Sequence, residues 1–135
     1  VQTLPEWNGK DLKVEGGSQG GYQAIIAAGM LPDQVTGCYA FIPWCCDLGG
    51  VTVGRFGGWR PNYTPALRYF DPVYHAKRIK HSIGINAGLA DYVCPPSGIA
   101  ALYNNISSAP KRLRFTQGLE HGGRGTDSWF REVRK

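Results

Sequence analysis

Four short runs of strand character alternate with longer helix-like runs along this chain, and that alternation constrains its fold more than any single motif. Residues 11–15 (DLKVE), 35–44 (VTGCYAFIPW), 81–87 (HSIGINA) and 111–117 (KRLRFTQ) have strand length and carry β-branched or aromatic side chains. Pro43 belongs at the end of the second run, because an interior proline would delete a ladder hydrogen bond. Between the runs stand residues 19–30, rich in alanine and isoleucine, and 71–80 (DPVYHAKRIK), which open with an Asp cap and a first-turn proline. Residues 97–106 (SGIAALYNNI) form the third helix-like run, and a last helix is expected around 128–135. Strand, helix, strand in this order predicts βαβ crossovers. The fold class is therefore α/β: a parallel sheet of about four strands with helices on both faces.

One domain accommodates 135 residues. An apolar content of 42% and a charged content of 19% are those of a globular chain, and no apolar run is long enough to span a bilayer, so no membrane role is expected. The net charge of +5 gathers toward the carboxyl end, at Lys111, Arg112, Arg114, Arg124, Arg131, Arg134 and Lys135. A nucleic-acid surface would interleave such charges with stacking aromatics on one element; here they read as a solvated face. Cys38, Cys45, Cys46 and Cys94 contain no Cys-x-x-Cys pair, so neither a structural zinc site nor any other metal centre is expected. Residues 45–70 break the alternation with glycine, tryptophan, arginine and proline, and are expected to form an irregular lid or pocket wall.

The stretch GGSQGG holds Gly16-x-Ser18-x-Gly20 between an expected strand and an expected helix. In that setting a serine sits on a strained turn with its hydroxyl exposed, and small residues on either side leave the turn room. A hydroxyl is a poor nucleophile alone. It needs an imidazole to accept its proton and a carboxylate to orient the imidazole. His75 and His81 lie in or beside a basic helix and are assigned to the surface, whereas His121 follows the last strand, at the sheet edge where open α/β sheets place their sites. Asp91 follows the third strand in a loop stiffened by Pro95 and Pro96 and is preferred as the orienting acid; Asp47, after the second strand, is the alternative. The backbone N–H of Gln19, at the start of the helix, is the expected oxyanion donor. Trp44 and Trp59 are candidates for a substrate-pocket wall, although packing is the commoner role of such residues.

The motifs LPEW, GGSQGG, YFDPVYHAKRIK, GLADYVCPP followed by SGIAALYN, and the late Glu-His pair stand in this order from Leu4 onward. Together they resemble the acetyl xylan esterase and cephalosporin C deacetylase group of α/β-hydrolases. The resemblance implies a three-layer sandwich, with Ser18 as nucleophile, His121 as base and Asp91 as acid. It further implies removal of acetyl groups from sugar hydroxyls without metal or cofactor, and a homo-oligomer. At the histidine this chain departs from the family's Gly-His-Glu, reading Glu120-His121-Gly122. The resemblance covers the carboxyl half of such a fold, so residues 1–135 are expected to be a partial domain: a fragment, or one chain of an assembly that supplies the earlier strands and the second oxyanion donor. Such a chain should expose an apolar strand edge. The competing expectation is a hydrolase-like element that folds without turning over; a peptidase has no motif in its favour.

Overall fold

The structure, a computed structural model, describes residues 3–55, 58–107 and 110–122. Its centre is a sheet of four parallel strands in the order β1-β2-β3-β4, comprising Lys13–Gly17, Gly37–Phe41, Ser82–Gly88 and Lys111–Thr116. The central strands are buried on both faces: β2 is buried from Gly37 to Ala40 and β3 from Ile83 to Gly88. Strand β1 alternates between exposed and half-buried positions, as expected where one side lacks cover, and β4 does so as far as Arg114, after which Phe115 is also exposed. On β1 the exposed positions are Lys13, Glu15 and Gly17. The expected apolar edge is thus not what β1 presents; charge at an edge strand disfavours pairing with a stray strand.

Helix α1 (Gln19–Met30) buries Gly21, Ala24, Ile25, Ala28 and Gly29. That spacing puts five small or apolar residues on a single stripe of a 3.6-residue helix, which lies against β1 and β2. Helix α1 also packs on α2 (Pro72–Ala76), and α2 on α3 (Pro96–Asn105). A strand order that advances one place at a time, with right-handed crossovers, sets every connecting helix on the same face, so these three form a row on one face, where helices on both faces were expected. The helix expected at 128–135 lies outside the described residues. Among the described residues, no helix is long and apolar enough to cross a membrane. Ile25, Ile83, Ile85, Ile99, Leu102 and Ile106 make the centre of the core, each at most 2% exposed.

Helix α2 is shorter than the expected 71–80. Arg78 N–H donates to the His75 carbonyl and Ile79 N–H to the Ala76 carbonyl, three-residue closures that tighten the last turn and end the helix. His75 is buried, correcting its surface assignment: its Nε2 lies 2.9 Å from the Tyr69 carbonyl and its Nδ1 2.9 Å from Arg78 Nη2. Because guanidinium is a donor only, Nδ1 accepts from Arg78 and Nε2–H donates to the Tyr69 carbonyl. The excursion at 45–70 contains two short 3-10 helices, Leu48–Val53 and Pro65–Phe70.

Asp71 fastens that excursion to the core. Its buried carboxylate accepts the backbone N–H groups of Leu48 (2.6 Å), Val73 (3.0 Å) and Asp47 (3.1 Å), capping α2 and holding the start of the first 3-10 helix. Burial raises the carboxyl above its ordinary value, against the lowering effect of the three amides. The folded chain therefore keeps this proton to higher pH than the unfolded chain, and the group's contribution to stability falls as pH rises from the unfolded pKa through the raised one. Asp71→Ala would leave three amide donors without their acceptor and remove a cap. Denaturant unfolding is expected to register a loss of about 3 kcal/mol or more.

Candidate active site

Three loops at the carboxyl ends of β1, β3 and β4 converge on one point. Ser18 occupies the single residue between β1 and α1, with φ 52° and ψ −117°. A positive φ at a residue bearing a Cβ is strained and has to be held in place by its surroundings. Here the Ser18 N–H donates to the Phe41 carbonyl (2.9 Å), while the Ser18 carbonyl accepts from Trp44 N–H and Tyr22 N–H, both at 3.0 Å. The turn also requires a close backbone crossing: a Cβ on Gly16 would overlap the carbonyl group of Gly20. At Gly20 itself a Cβ would meet open space, so the need for a small residue is met at Gly16 and, less tightly, at Gly21 rather than symmetrically about the serine.

Ser18 Oγ lies 3.2 Å from His121 Nε2, and His121 Nδ1 lies 3.1 Å from Asp91 Oδ2. The Asp91 side chain is fully buried, and its other oxygen accepts the N–H groups of Cys94 (2.8 Å) and Val93 (2.9 Å), so the carboxylate has one fixed orientation. The His121 side chain is 26% exposed, less deeply buried than the carboxylate that orients it. Asp47, the alternative acid, is turned elsewhere: its carboxylate pairs with Arg55. Chemically, the row can pass a proton from the serine hydroxyl to an imidazole that a carboxylate holds in the required tautomer.

Gly88, which sequence reasoning did not single out, lets two of these loops meet. A Cβ on this last residue of β3 would overlap the Leu119 carbonyl, two residues before His121. That carbonyl accepts the Ala90 N–H (3.2 Å), tying the histidine loop to the aspartate loop. Nothing in the sequence marks the position beyond a glycine at a strand end.

Cys94 was also missed as a neighbour of the serine. Burial pushes its thiol up to about 12, as does the Asp91 charge, while a side-chain hydrogen bond with Ser18 works the other way. The sulfur therefore stays protonated at neutral pH and does not compete with Ser18 as a nucleophile. Asp91, Cys94 and His121 are the described His, Cys, Asp and Glu side chains whose ligand atoms fall within reach of a single ion.

The amide of Gln19 begins α1, in the first turn, whose N–H groups have no carbonyl of the helix to donate to. The indole Nε1 of Trp44 donates to the Trp59 carbonyl (2.7 Å), and the two rings lie 5.3 Å apart at 33°. Tyr22 meets Trp44 edge-on at 5.7 Å. Trp59 N–H in turn donates to the Val93 carbonyl (3.1 Å), fastening the excursion to the aspartate loop. Trp59 as a whole residue remains 67% exposed, on the loop attached to Asp91. A cleft of about 830 Å³ elsewhere is lined by Pro65, Arg68, Tyr69, Tyr74 and His75, none of which belongs to the serine-histidine-aspartate row.

Residues 62–131, which contain Asp91 and His121, match the pattern of the acetyl xylan esterase (AXE1) family, more than half of the chain. The chain belongs to the acetyl xylan esterase family. It is 37% identical over 131 residues to acetyl esterase Axe7A of Xylanibacter ruminicola, an alignment covering 90% of this chain and 29% of that protein. Among solved structures it resembles acetyl xylan esterase 1 from Thermoanaerobacterium sp. JW/SL YS485, with a TM-score of 0.75 and 26% identity over 98% of this chain and 47% of that one. It is also similar to the acetyl xylan esterase from Paenibacillus sp. R4, with a TM-score of 0.70 and 29% identity, covering 90% and 42% of the two chains. The fold is that of the α/β-hydrolases. This acetyl xylan esterase family chain spans just under half the length of those solved relatives and less than a third of the curated one.

Proposed function

We propose that this member of the acetyl xylan esterase family supplies the catalytic residues for hydrolysis of acetyl esters on carbohydrates. The unbroken row from Ser18 Oγ through His121 to the buried Asp91 carries this reading. Ser18 attacks the acetyl carbonyl carbon as His121 Nε2 takes its proton, and the carbonyl π pair moves onto oxygen. The Gln19 amide donates to that oxyanion, at the positive end of α1. When the carbonyl re-forms, the sugar oxygen leaves with the proton from His121, and the acetyl group remains bonded to Ser18 Oγ. Water, deprotonated by His121, repeats the sequence and releases acetate. Asp91 holds the imidazole and balances its charge when it is protonated.

The lid or pocket-wall role of residues 45–70 follows from their attachment. Trp59 is tied to the Asp91 loop and stands beside Trp44, whose own N–H braces the Ser18 turn. An exposed aromatic face in that position suits the flat apolar side of a sugar ring. Pairing with an earlier part of the domain, or with a second copy, would complete the oxyanion site with another donor. In the test, the intact protein is incubated with an acetylated xylo-oligosaccharide and released acetate is measured, alongside mass-spectrometric detection of acetyl-Ser18 under rapid quench. Acetate release that persists unchanged in Ser18→Ala would refute the mechanism, and no release from the unsubstituted protein would leave the non-catalytic reading.

Gly88 offers a test of positioning without touching the reacting groups. Gly88→Ala would push the Leu119 carbonyl away and shift His121 from Ser18 and Asp91. A misplacement on the order of 1 Å costs about 100-fold in rate, so kcat is expected to fall by that amount with KM little changed. Steady-state kinetics on an acetate ester check the split.

A further inference from the structure

We propose that Asp91, Cys94 and His121 also form a binding site for zinc or a metal ion of similar softness, and that loading it stops the esterase. The inhibitory half rests on the catalytic reading above; the metal site does not. The three side chains offer one carboxylate oxygen, one sulfur and one imidazole nitrogen, and these atoms lie within 4.8 Å of one another.

The donor set has a definite selectivity. Sulfur and imidazole favour zinc and its softer neighbours, whereas magnesium and calcium require several oxygens, of which this group has one. Charge favours the same ion. A dication with one carboxylate, one thiolate and one neutral imidazole forms an uncharged cluster, the form tolerated where Asp91 and Cys94 are each 2% exposed.

The site is also largely built. Asp91 is anchored by the Cys94 and Val93 amides through one oxygen, leaving the other directed at His121. Cys94 is set by the same short turn, whose next residues are Pro95 and Pro96. Zinc bonds of about 2.0–2.3 Å require the donors to draw closer, and His121, the least buried of the three, is the ligand free to move. A solvent molecule or the Ser18 hydroxyl would complete a tetrahedron. Binding exchanges the thiol proton for the metal, which releases that proton to solvent. It also occupies a ring nitrogen of His121, so the imidazole can no longer both donate to Asp91 and accept the Ser18 proton.

Cobalt(II) replaces zinc in such sites and reports its ligands by absorption, so the spectrum tests the site without an activity measurement. With cobalt(II) the intact protein is expected to show a sulfur-to-metal charge-transfer band in the near ultraviolet. That band should vanish in Cys94→Ser and persist in Cys46→Ser, whose sulfur lies against the Pro43 and Trp44 carbonyls. Zinc affinity should fall at least about 100-fold in Cys94→Ser. Acetate-ester hydrolysis should be lost with a few equivalents of zinc, recover on chelation, and be indifferent to magnesium and calcium. A cobalt spectrum lacking the thiolate band, or zinc affinity unchanged in Cys94→Ser, overturns the metal site. If Cys94→Ser does not fold, absence of the band from the unsubstituted protein still overturns the site, and its persistence in Cys38→Ser, Cys45→Ser and Cys46→Ser assigns it to Cys94 by elimination. The band with undiminished hydrolysis would uphold the site and refute the catalytic reading of His121.

Discussion

Ser18→Ala is expected to lower acetyl-ester hydrolysis by on the order of 10⁴-fold or more, with the fold intact. The magnitude follows from what the substitution removes. Without the hydroxyl there is no acyl intermediate, and the remaining catalysis comes from oxyanion stabilisation and substrate binding alone. The fold should survive because alanine keeps the Cβ, so the strain at φ 52° is unchanged, and every hydrogen bond holding the turn uses the Ser18 backbone. Steady-state rates on a chromogenic acetate ester, read with the denaturant midpoint of each protein, separate loss of chemistry from loss of structure. Equal rates in both proteins would remove Ser18 from the mechanism.

Asp91→Asn is expected to cost about 10⁴-fold in kcat at neutral pH while leaving the loop in place. An amide oxygen can still accept the Val93 and Cys94 N–H groups that Asp91 now accepts. The amide nitrogen then faces His121 Nδ1 and donates to it, forcing the ring proton onto Nε2. Nε2 would point a hydrogen at Ser18 Oγ and could not accept its proton. Retention of the unfolding midpoint with loss of kcat is the expected outcome; a variant of normal activity would show that orientation of His121 does not depend on this carboxylate.

Much of the architecture could be read directly because local patterns coincide with the packing that buries them. Residues 19–30 match α1 to the residue, since its small and apolar positions fall on one stripe. The strands were expected within two residues or so of where they begin, and Pro43 does lie beyond the end of β2. Helix α2 was overextended because the Asp71 cap and Pro72 mark where a helix begins but not where it stops. Its end is decided by tightened backbone closures and by the His75 contacts with Tyr69 and Arg78, which are invisible in a propensity.

The serine, histidine and aspartate were singled out by position relative to strands, which a one-dimensional pattern can convey. Their chain separations convey nothing about distance. Contact among them depends on parallel strands ending at one edge, and on Gly88 admitting the Leu119 backbone beside the aspartate loop. Cys94 and Asp47 make the same point in opposite directions. Cys94 read only as one of four cysteines without a Cys-x-x-Cys pair yet borders Ser18, whereas Asp47 read as a possible acid and is paired with Arg55.

The sequence by itself determined the parallel α/β class, the strained serine turn and the family, because each depends on residues close together in the chain or on motifs kept in order. Tertiary structure alone decided which carboxylate meets His121, that His75 is buried, that the edge of β1 is charged, and that a cysteine joins the site. Those outcomes depend on which loops are brought together at the sheet's carboxyl edge, and a buried contact of that kind is specified by packing across the whole core rather than by any local run of residues.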